Sequence, residues 1–294
     1  MREILIFRTD RVGDLLFSLI FIKIIKKNFP NCRITLVTSL KNYEYANTFK
    51  GIDKIIPLKN NIFSKINLII KIRKNIYDAI IVHDGKNRSK FISFFLKSKK
   101  RVVCVTDLIN TQIDIIKKTC QELQLKYDDS CLNFLDQRDY SNTKIPFNKY
   151  IQLHFDEKWI HNKYISKYTN IEPTKEDLIN FIKDLILKDK NIIITTGKNG
   201  SNLLSEIKND LDSDKVKIFH NQSLLEIENI VFNSDLLVTC HGWITHIAGA
   251  KNIKQIDIID SSYPYHTWTS HLRNYNYLNR KKFKILASEI LSLI

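Results

Sequence analysis

Glycine and proline are scarce in this chain, 7 and 5 of 294 residues, and no short-period repeat or low-complexity tract is present. A collagen-like or linker-dominated protein is thereby excluded. Hydrophobic residues make up 44% and charged residues 26%, which excludes wholesale disorder and leaves ample material for a core. The five cysteines, Cys32, Cys104, Cys120, Cys131 and Cys240, are odd in number and form no C-x-x-C pair or ligand-like spacing to a histidine. They fit buried thiols in a reducing compartment, not a disulfide framework. No apolar run reaches the roughly 20 residues of a membrane-spanning helix. The strongest, residues 15–25, is interrupted by Lys23, follows Arg8, Asp10, Arg11 and Asp14, and lacks a signal-peptide cleavage pattern. The expected location is cytoplasmic. Also missing are the G-x-G-x-x-G dinucleotide fingerprint and the G-x-x-x-x-G-K-[ST] phosphate loop.

What is abundant is positive charge: 46 Lys and Arg against 31 Asp and Glu, a formal +15. Clustered cations neutralise phosphates, so a nucleic acid, an anionic membrane surface or a phosphorylated substrate fits this balance. A coding bias toward Ile, Lys and Asn would give the same excess without any partner. No RNA-recognition core or comparable motif occurs, so no nucleic acid is expected.

Strand and helix signals alternate along the first half. Strands are expected at 3–8, 33–38, 54–57, 79–83 and 101–105, with an amphipathic helix at 13–28 and further helices at 43–49, 62–74 and 90–96. Residues 137–149, with Pro146, break the periodicity and read as a linker. The second half restarts the alternation, with strands at 150–154, 191–196, 216–220, 236–239 and 255–259 and a terminal helix from 283. The prediction is an α/β protein of two doubly wound, Rossmann-like domains, 1–145 and 146–280, with 281–294 as a C-terminal helix that packs back on the first domain. The active site is then expected in the cleft outside the carboxyl ends of the strands.

Several loops at those ends carry candidate chemistry. The first strand runs into Thr9-Asp10-Arg11-Val12-Gly13-Asp14 and a helix. Gly13 allows close approach to the backbone, and Asp14 falls in the first helical turn, where a carboxylate also offsets the helix dipole by about 0.3–1 kcal/mol. Arg8 and Arg11 either hold an anionic acceptor or pair with Asp10 at the surface. The turn containing Asp84 faces the acceptor or is a simple loop. Lys158, in Leu153-His154-Phe155-Asp156-Glu157-Lys158-Trp159, either reaches a phosphate or is solvated. Thr195-Thr196-Gly197-Lys198-Asn199-Gly200 is a ligand-facing loop or a turn. Ser223-Leu224-Leu225-Glu226 has the form of a capping box. The most distinctive string is Thr239-Cys240-His241-Gly242-Trp243-Ile244-Thr245-His246-Ile247-Ala248: a strand turns through Gly242 into a small-residue helix whose N–H groups suit an anion. Ser261-Ser262-Tyr263-Pro264-Tyr265-His266-Thr267-Trp268 follows, able to stack on a base or pack on the core.

In their order, R-x-D-R-x-G-D-L-L, L-H-x-x-x-K-W, T-T-G, S-L-x-E and D-L-L-V-T-x-H-G-x-x-T-H-I-A, these motifs resemble glycosyltransferase family 9, the heptosyltransferase-like enzymes of bacterial lipopolysaccharide assembly. The resemblance implies a GT-B fold with the acceptor in the first domain and a nucleoside-diphosphate sugar, ADP-linked among the options, in the second. It implies an inverting, metal-independent transfer of heptose or a related sugar to a lipopolysaccharide-core or other cell-surface glycan, with peripheral contact to the inner membrane. Asp14 matches the family's proposed base, Lys158 a donor-phosphate lysine, and Gly242 and His246 the family's D-[ST]-G-x-x-H turn. Gly197, Ser223, His241 and Thr245 join the expected donor set, and Arg8, Arg11, Gly13 and Asp84 the acceptor set. Cys240-His241 stand where the family has Asp-Ser or Asp-Thr, with one extra residue before His246, so the carboxylate expected at the donor end is missing from the turn. That departure keeps open a non-catalytic sugar-nucleotide- or glycan-binding protein on the same shell; a nucleic-acid-binding protein is a further alternative.

Overall fold

Apolar runs of four to seven residues alternate with helices along the chain, and they become parallel strands buried by the helices around them. The computed structural model describes residues 1–105, 107, 109–135, 144–161, 166–197, 202–211 and 214–294. They divide into two units, Met1–Asp136 with His266–His271, and Gln137–Tyr265 with Leu272–Ile294.

The first unit contains β1 (Glu3–Arg8), α1 (Val12–Asn28), β2 (Arg33–Ser39), α2 (Leu40–Ala46), β3 (Lys54–Leu58), α3 (Ile62–Ile72), β4 (Ile76–Val82), α4 (Asn87–Phe94), β5 (Lys97–Val103) and α5 (Gln112–Glu122). Its strands are all parallel, in the order β3-β2-β1-β4-β5. Leu5, Phe7, Val37, Ile80 and Val82 of the sheet pack against Leu68 and Ile72 of α3 and Ile92 of α4. The helix expected to be amphipathic, α1, is instead buried nearly all round from Leu15 to Ile25. The reason is a second cover: α1 packs on its own strand and also against α2, α5 and the turn at Asp129–Leu132.

The second unit contains β6 (Ile151–His154), α6 (Lys175–Leu187), β7 (Ile192–Thr195), α7 (Asn202–Ile207), β8 (Val216–Phe219), α8 (Leu224–Phe232), β9 (Leu236–Cys240), α9 (Trp243–Ala250), β10 (Lys254–Ile259), β11 (Tyr275–Asn279) and a final helix, Phe283–Leu293. The strands are again parallel, in the order β11-β10-β9-β6-β7-β8. The final helix belongs to the second unit. Its apolar positions Phe283, Leu286, Ala287 and Ile290 join the second unit's own core with Phe181 and Leu185 of α6. Of the expected linker, residues 137–143 lie outside the described residues; Ile145 and Phe147 pack against Tyr150 and Ile193.

Each sheet reverses its strand order once, between β1 and β4 and between β6 and β9. In open parallel sheets the crevice at such a reversal, outside the carboxyl ends, is where ligands bind. Among the described residues no helix is long and apolar enough to cross a membrane.

Candidate functional site

In the first unit the reversal brings the end of β1 beside the end of β4. Arg8 is buried there, with Nη1 donating to the His83 carbonyl at 2.6 Å. Its guanidinium forms ion pairs with Asp10 at 3.1 Å and with Asp14 at 3.4 Å. Arg8 therefore organises two carboxylates: of the two readings left open by the sequence it follows the pairing with Asp10, made in the interior and not at the surface. Asp14 sits in the first turn of α1 with its side chain 26% exposed, whereas that of Asp10 is 15% exposed. Burial pushes the Asp10 carboxyl up to about 6; Arg8 opposes the rise, and Asp14 and Asp84 add to it. Arg11 is exposed at the N-cap of α1, and Gly13 has helical backbone.

Asp84, expected to face the acceptor, is buried and occupied. Its Oδ2 accepts from Thr9 N at 3.0 Å, Thr9 Oγ1 at 2.6 Å and Ser89 Oγ at 2.7 Å, fastening β1 to the start of α4. Arg88 adds to this fastening, donating from Nε to Thr9 Oγ1 at 2.9 Å. Neither Arg88 nor the raised pKa of Asp10 was legible in the sequence: Arg88 reaches Thr9 from 79 residues along the chain, and Asp10 is raised chiefly by burial that the fold imposes.

In the second unit three neighbouring strands, β7, β6 and β9, deliver Gly197, Lys158 and His241-Gly242 to one end of the sheet. Lys158 lies on a short turn, Glu157–Trp159, whose start is capped by Asp156. Its ammonium is hydrogen-bonded to the Asp156 carboxylate. Burial alone would lower the lysine's pKa, but the charge and hydrogen bond of Asp156 outweigh it, so the ammonium is held above its ordinary value. A Cβ on Gly242 would lie 2.9 Å from Lys158 Nζ. The backbone of Gly242 is extended, so it is this approach of the lysine, not a special φ, that calls for glycine. Gly197 stands nearly as close to Glu157, where a Cβ would lie 3.1 Å from Oε2; Lys198, Asn199 and Gly200 lie outside the described residues.

Beneath the Gly242 turn is a carboxylate that the sequence did not reveal. Asp257 of β10 is fully buried, in register with Thr239 of β9. His241 Nδ1 donates to its Oδ2 at 2.6 Å, as does Tyr275 OH at 2.9 Å, while Thr245 Oγ1 donates to Oδ1 at 3.3 Å. Thr245 Oγ1 in turn accepts from Gly242 N at 3.2 Å. An ionised carboxylate only accepts, so the Nδ1 proton of His241 is fixed and Nε2 is left for other partners. The ring of Tyr265, from the loop after β10, lies 4.6 Å from that of His241, and His246 lies edge-on at 5.6 Å. Cys240 is no substitute carboxylate, since burial raises its thiol to about 12. Thr245 and Ser223, both expected to touch the donor, are spent locally: Thr245 is buried in the Asp257 network, and Ser223 caps α8 in a reciprocal box with Glu226. A D-x-D spacing does occur at Asp210, Asp212 and Asp214. It precedes β8 in the chain; Asp210 pairs with Lys175 at 2.9 Å, and Asp212 lies outside the described residues.

Buried histidines make acid stability predictable. Burial lowers His154 and His271 to about 4 and holds His83 well below its ordinary value, so the unfolded chain binds more protons as pH falls from 6.5 toward 4. Stability is lost through that window, by about 3 kcal/mol for His154. Asp10 acts oppositely, because its raised pKa makes the folded state the better proton acceptor between about 6 and 3.8. One opposing group against three leaves a net loss. Thermal melts at about pH 7 and about pH 4.5 should show a lower Tm in acid, and His271→Phe should flatten the dependence.

Comparison with family models and with curated proteins finds no match. Solved structures do match. E. coli heptosyltransferase WaaC with ADP-2-deoxy-2-fluoro heptose superposes with a TM-score of 0.73 at 11% identity, over 99% of this chain and 100% of that one. The glycosyl transferase family 9 structure from Veillonella parvula DSM 2008 gives 0.72 at 11% identity, over 99% and 97%. E. coli ADP-heptose lps heptosyltransferase II gives 0.69 at 14% identity, over 100% and 99%. At such identities the likeness establishes the fold, a GT-B architecture of two Rossmann-like units, and function must be argued from the site.

Proposed function

We propose that this chain is an inverting, metal-independent glycosyltransferase that moves a heptose or related sugar from a nucleoside-diphosphate sugar to an anionic glycan acceptor of the lipopolysaccharide-core type. The observation that carries the proposal is the meeting of Lys158, His241 and the amino end of α9 at Gly242, at the strand-order reversal of the second sheet. A fixed ammonium and an imidazole braced by a buried carboxylate, at the positive end of the α9 dipole, together suit a diphosphate.

In this mechanism Asp14 takes the proton of an acceptor hydroxyl as its oxygen attacks the anomeric carbon. The bond from that carbon to the diphosphate oxygen breaks, and its electron pair leaves with the nucleoside diphosphate. Lys158, His241 and the α9 amides stabilise the departing charge. Arg11, exposed beside Asp14, is the acceptor-side cation in this reading, while Arg8 sets the position of Asp14 from below. WaaC was solved with an ADP-sugar analogue, so ADP-sugars are the first donors to try.

A thermal-shift screen against ADP-, GDP- and UDP-sugars tests the donor assignment, since a ligand at about 100 times its Kd adds about 2.7 kcal/mol of stability. One nucleotide class should raise Tm, and failure of all three would remove the assignment. Binding without hydrolysis or transfer would favour a non-catalytic binding protein, the reading that the Cys240-His241 departure keeps in play. Gly242→Ala should fold normally, because the built Cβ meets only the flexible end of Lys158. It should raise the donor KM about tenfold by displacing that ammonium.

A further inference from the structure

The charge excess of this protein is not spread evenly. Residues 59–105 hold 12 Lys and Arg and only 2 Asp, leaving 34 basic against 29 acidic residues in all the rest. Those two acids are withdrawn from the surface balance: Asp84 is buried, and Asp78 pairs with Lys99 at 2.7 Å. A coding bias would raise lysine everywhere, so a sixth of the chain carrying two thirds of its net charge calls for a local cause.

The same segment exposes an apolar face. Helices α3 and α4 cover one face of the first sheet, with Leu68, Ile72 and Ile92 inward, and Arg88 Nη1 reaches Asn60 Oδ1 at 3.5 Å to link their amino ends. On the outward side stand Ile62, Phe63, Ile66 and Ile70 of α3, with Phe91, Phe94 and Phe95 at α4. Phe63 is 76% and Phe94 74% exposed. Exposed Lys71 lies one residue after Ile70, and exposed Lys90 lies one turn before Phe94. Helices that bury a narrow apolar edge and turn a second one outward, amid lysines, have the composition of interfacial helices.

We propose that the outward face of α3 and α4 docks this protein on an anionic lipid bilayer, with the phenylalanine and isoleucine side chains entering the interface and the flanking lysines and arginines on the headgroup phosphates. Charge decides against a second copy as the occupant, because two such faces would set their cations against each other. The phenylalanines alone would also suit stacked bases, but they share the face with Ile62, Ile66 and Ile70, which offer neither stacking nor hydrogen bonds to bases and match acyl chains, so the mixture favours the bilayer. The inference does not depend on the proposed transferase activity; it rests on this surface alone.

Co-sedimentation of the full chain with vesicles of phosphatidylcholine containing about 30% phosphatidylglycerol, against pure phosphatidylcholine, tests the proposal. Binding should need the anionic lipid and weaken with salt. Phe63→Ser/Phe94→Ser and Lys71→Glu/Lys90→Glu should each weaken it about tenfold or more with Tm unchanged, the sites being exposed. The proposal is overturned by absent vesicle binding, by binding that both double variants retain, or by a wild-type dimer or RNA complex that the variants abolish while vesicles are ignored.

Discussion

Asp14→Asn is expected to lower kcat for sugar transfer about 10²- to 10⁴-fold, the range over which a positioned general base contributes, with little change in donor KM. Its side chain is partly open to solvent, and its link to Arg8 is a 3.4 Å ion pair. Arg8 keeps Asp10 and the His83 carbonyl when Asp14 is neutralised, so the variant should fold with a Tm close to wild type. Asparagine preserves shape and hydrogen-bonding reach but accepts no proton at neutral pH, which isolates the chemical step from positioning. Asp10 is the control. It is less exposed, and it takes a proton at about 6, so below that pH Arg8 loses one of its two carboxylate partners. Asp10→Asn should therefore change the acid limb of the pH–rate profile while retaining most of the activity at about pH 8. Near-normal transfer by Asp14→Asn with a verified donor and acceptor would sink the base assignment, and a larger loss in Asp10→Asn would move it by four residues.

The extent to which these features were legible follows a physical line. Strands such as Glu3–Arg8 and Leu236–Cys240 are short apolar runs whose burial is written in their own residues. The polar edge strands were harder. Tyr275–Asn279, four of whose five residues are Tyr or Asn and three of those exposed, carries no apolar strand pattern, and Lys97–Val103 shows one only at its apolar end because its lysines face solvent. Lysines on an edge strand also discourage pairing with another chain, a pressure that hides the strand from a hydrophobic pattern. At the sites, Asp14, Lys158 and Gly242 lie in turns or helix starts a few residues after strands, and position along the chain betrays them. Asp156 and Asp257 do not announce themselves. Asp257 matters because register places β10 against β9, setting it beside Thr239 and under the Gly242 turn. The one available signal was an acid inside the otherwise apolar run 256–259, where an unpaired charge would be costly and a partner must exist.

That partner gives the second large effect. Asp257→Asn should reduce kcat/KM for the donor about 10²-fold, because an amide can present its NH₂ to His241 Nδ1 and so abolish the tautomer that the carboxylate imposes. The network otherwise has little slack: Asp257 accepts from His241, Tyr275 and Thr245, and Thr245 carries the Gly242 amide. Leaving buried donors poorly satisfied costs about 1–3 kcal/mol, so Tm will fall, and loss of activity alone would be ambiguous. A double-mutant cycle with His241→Gln resolves it. If Asp257 acts through His241, then Asp257→Asn/His241→Gln should transfer sugar no more slowly than either single variant, whereas a merely structural Asp257 would give losses that multiply. Affinity for the nucleoside diphosphate alone supplies an independent readout. It should weaken about tenfold in each single variant if the braced imidazole meets the leaving diphosphate. Unchanged affinity in a folded Asp257→Asn would assign the carboxylate to holding β10, β9 and α9 together. The Cys240-His241 turn would then have lost its charge without replacement, and the non-catalytic reading would gain what the transferase reading lost.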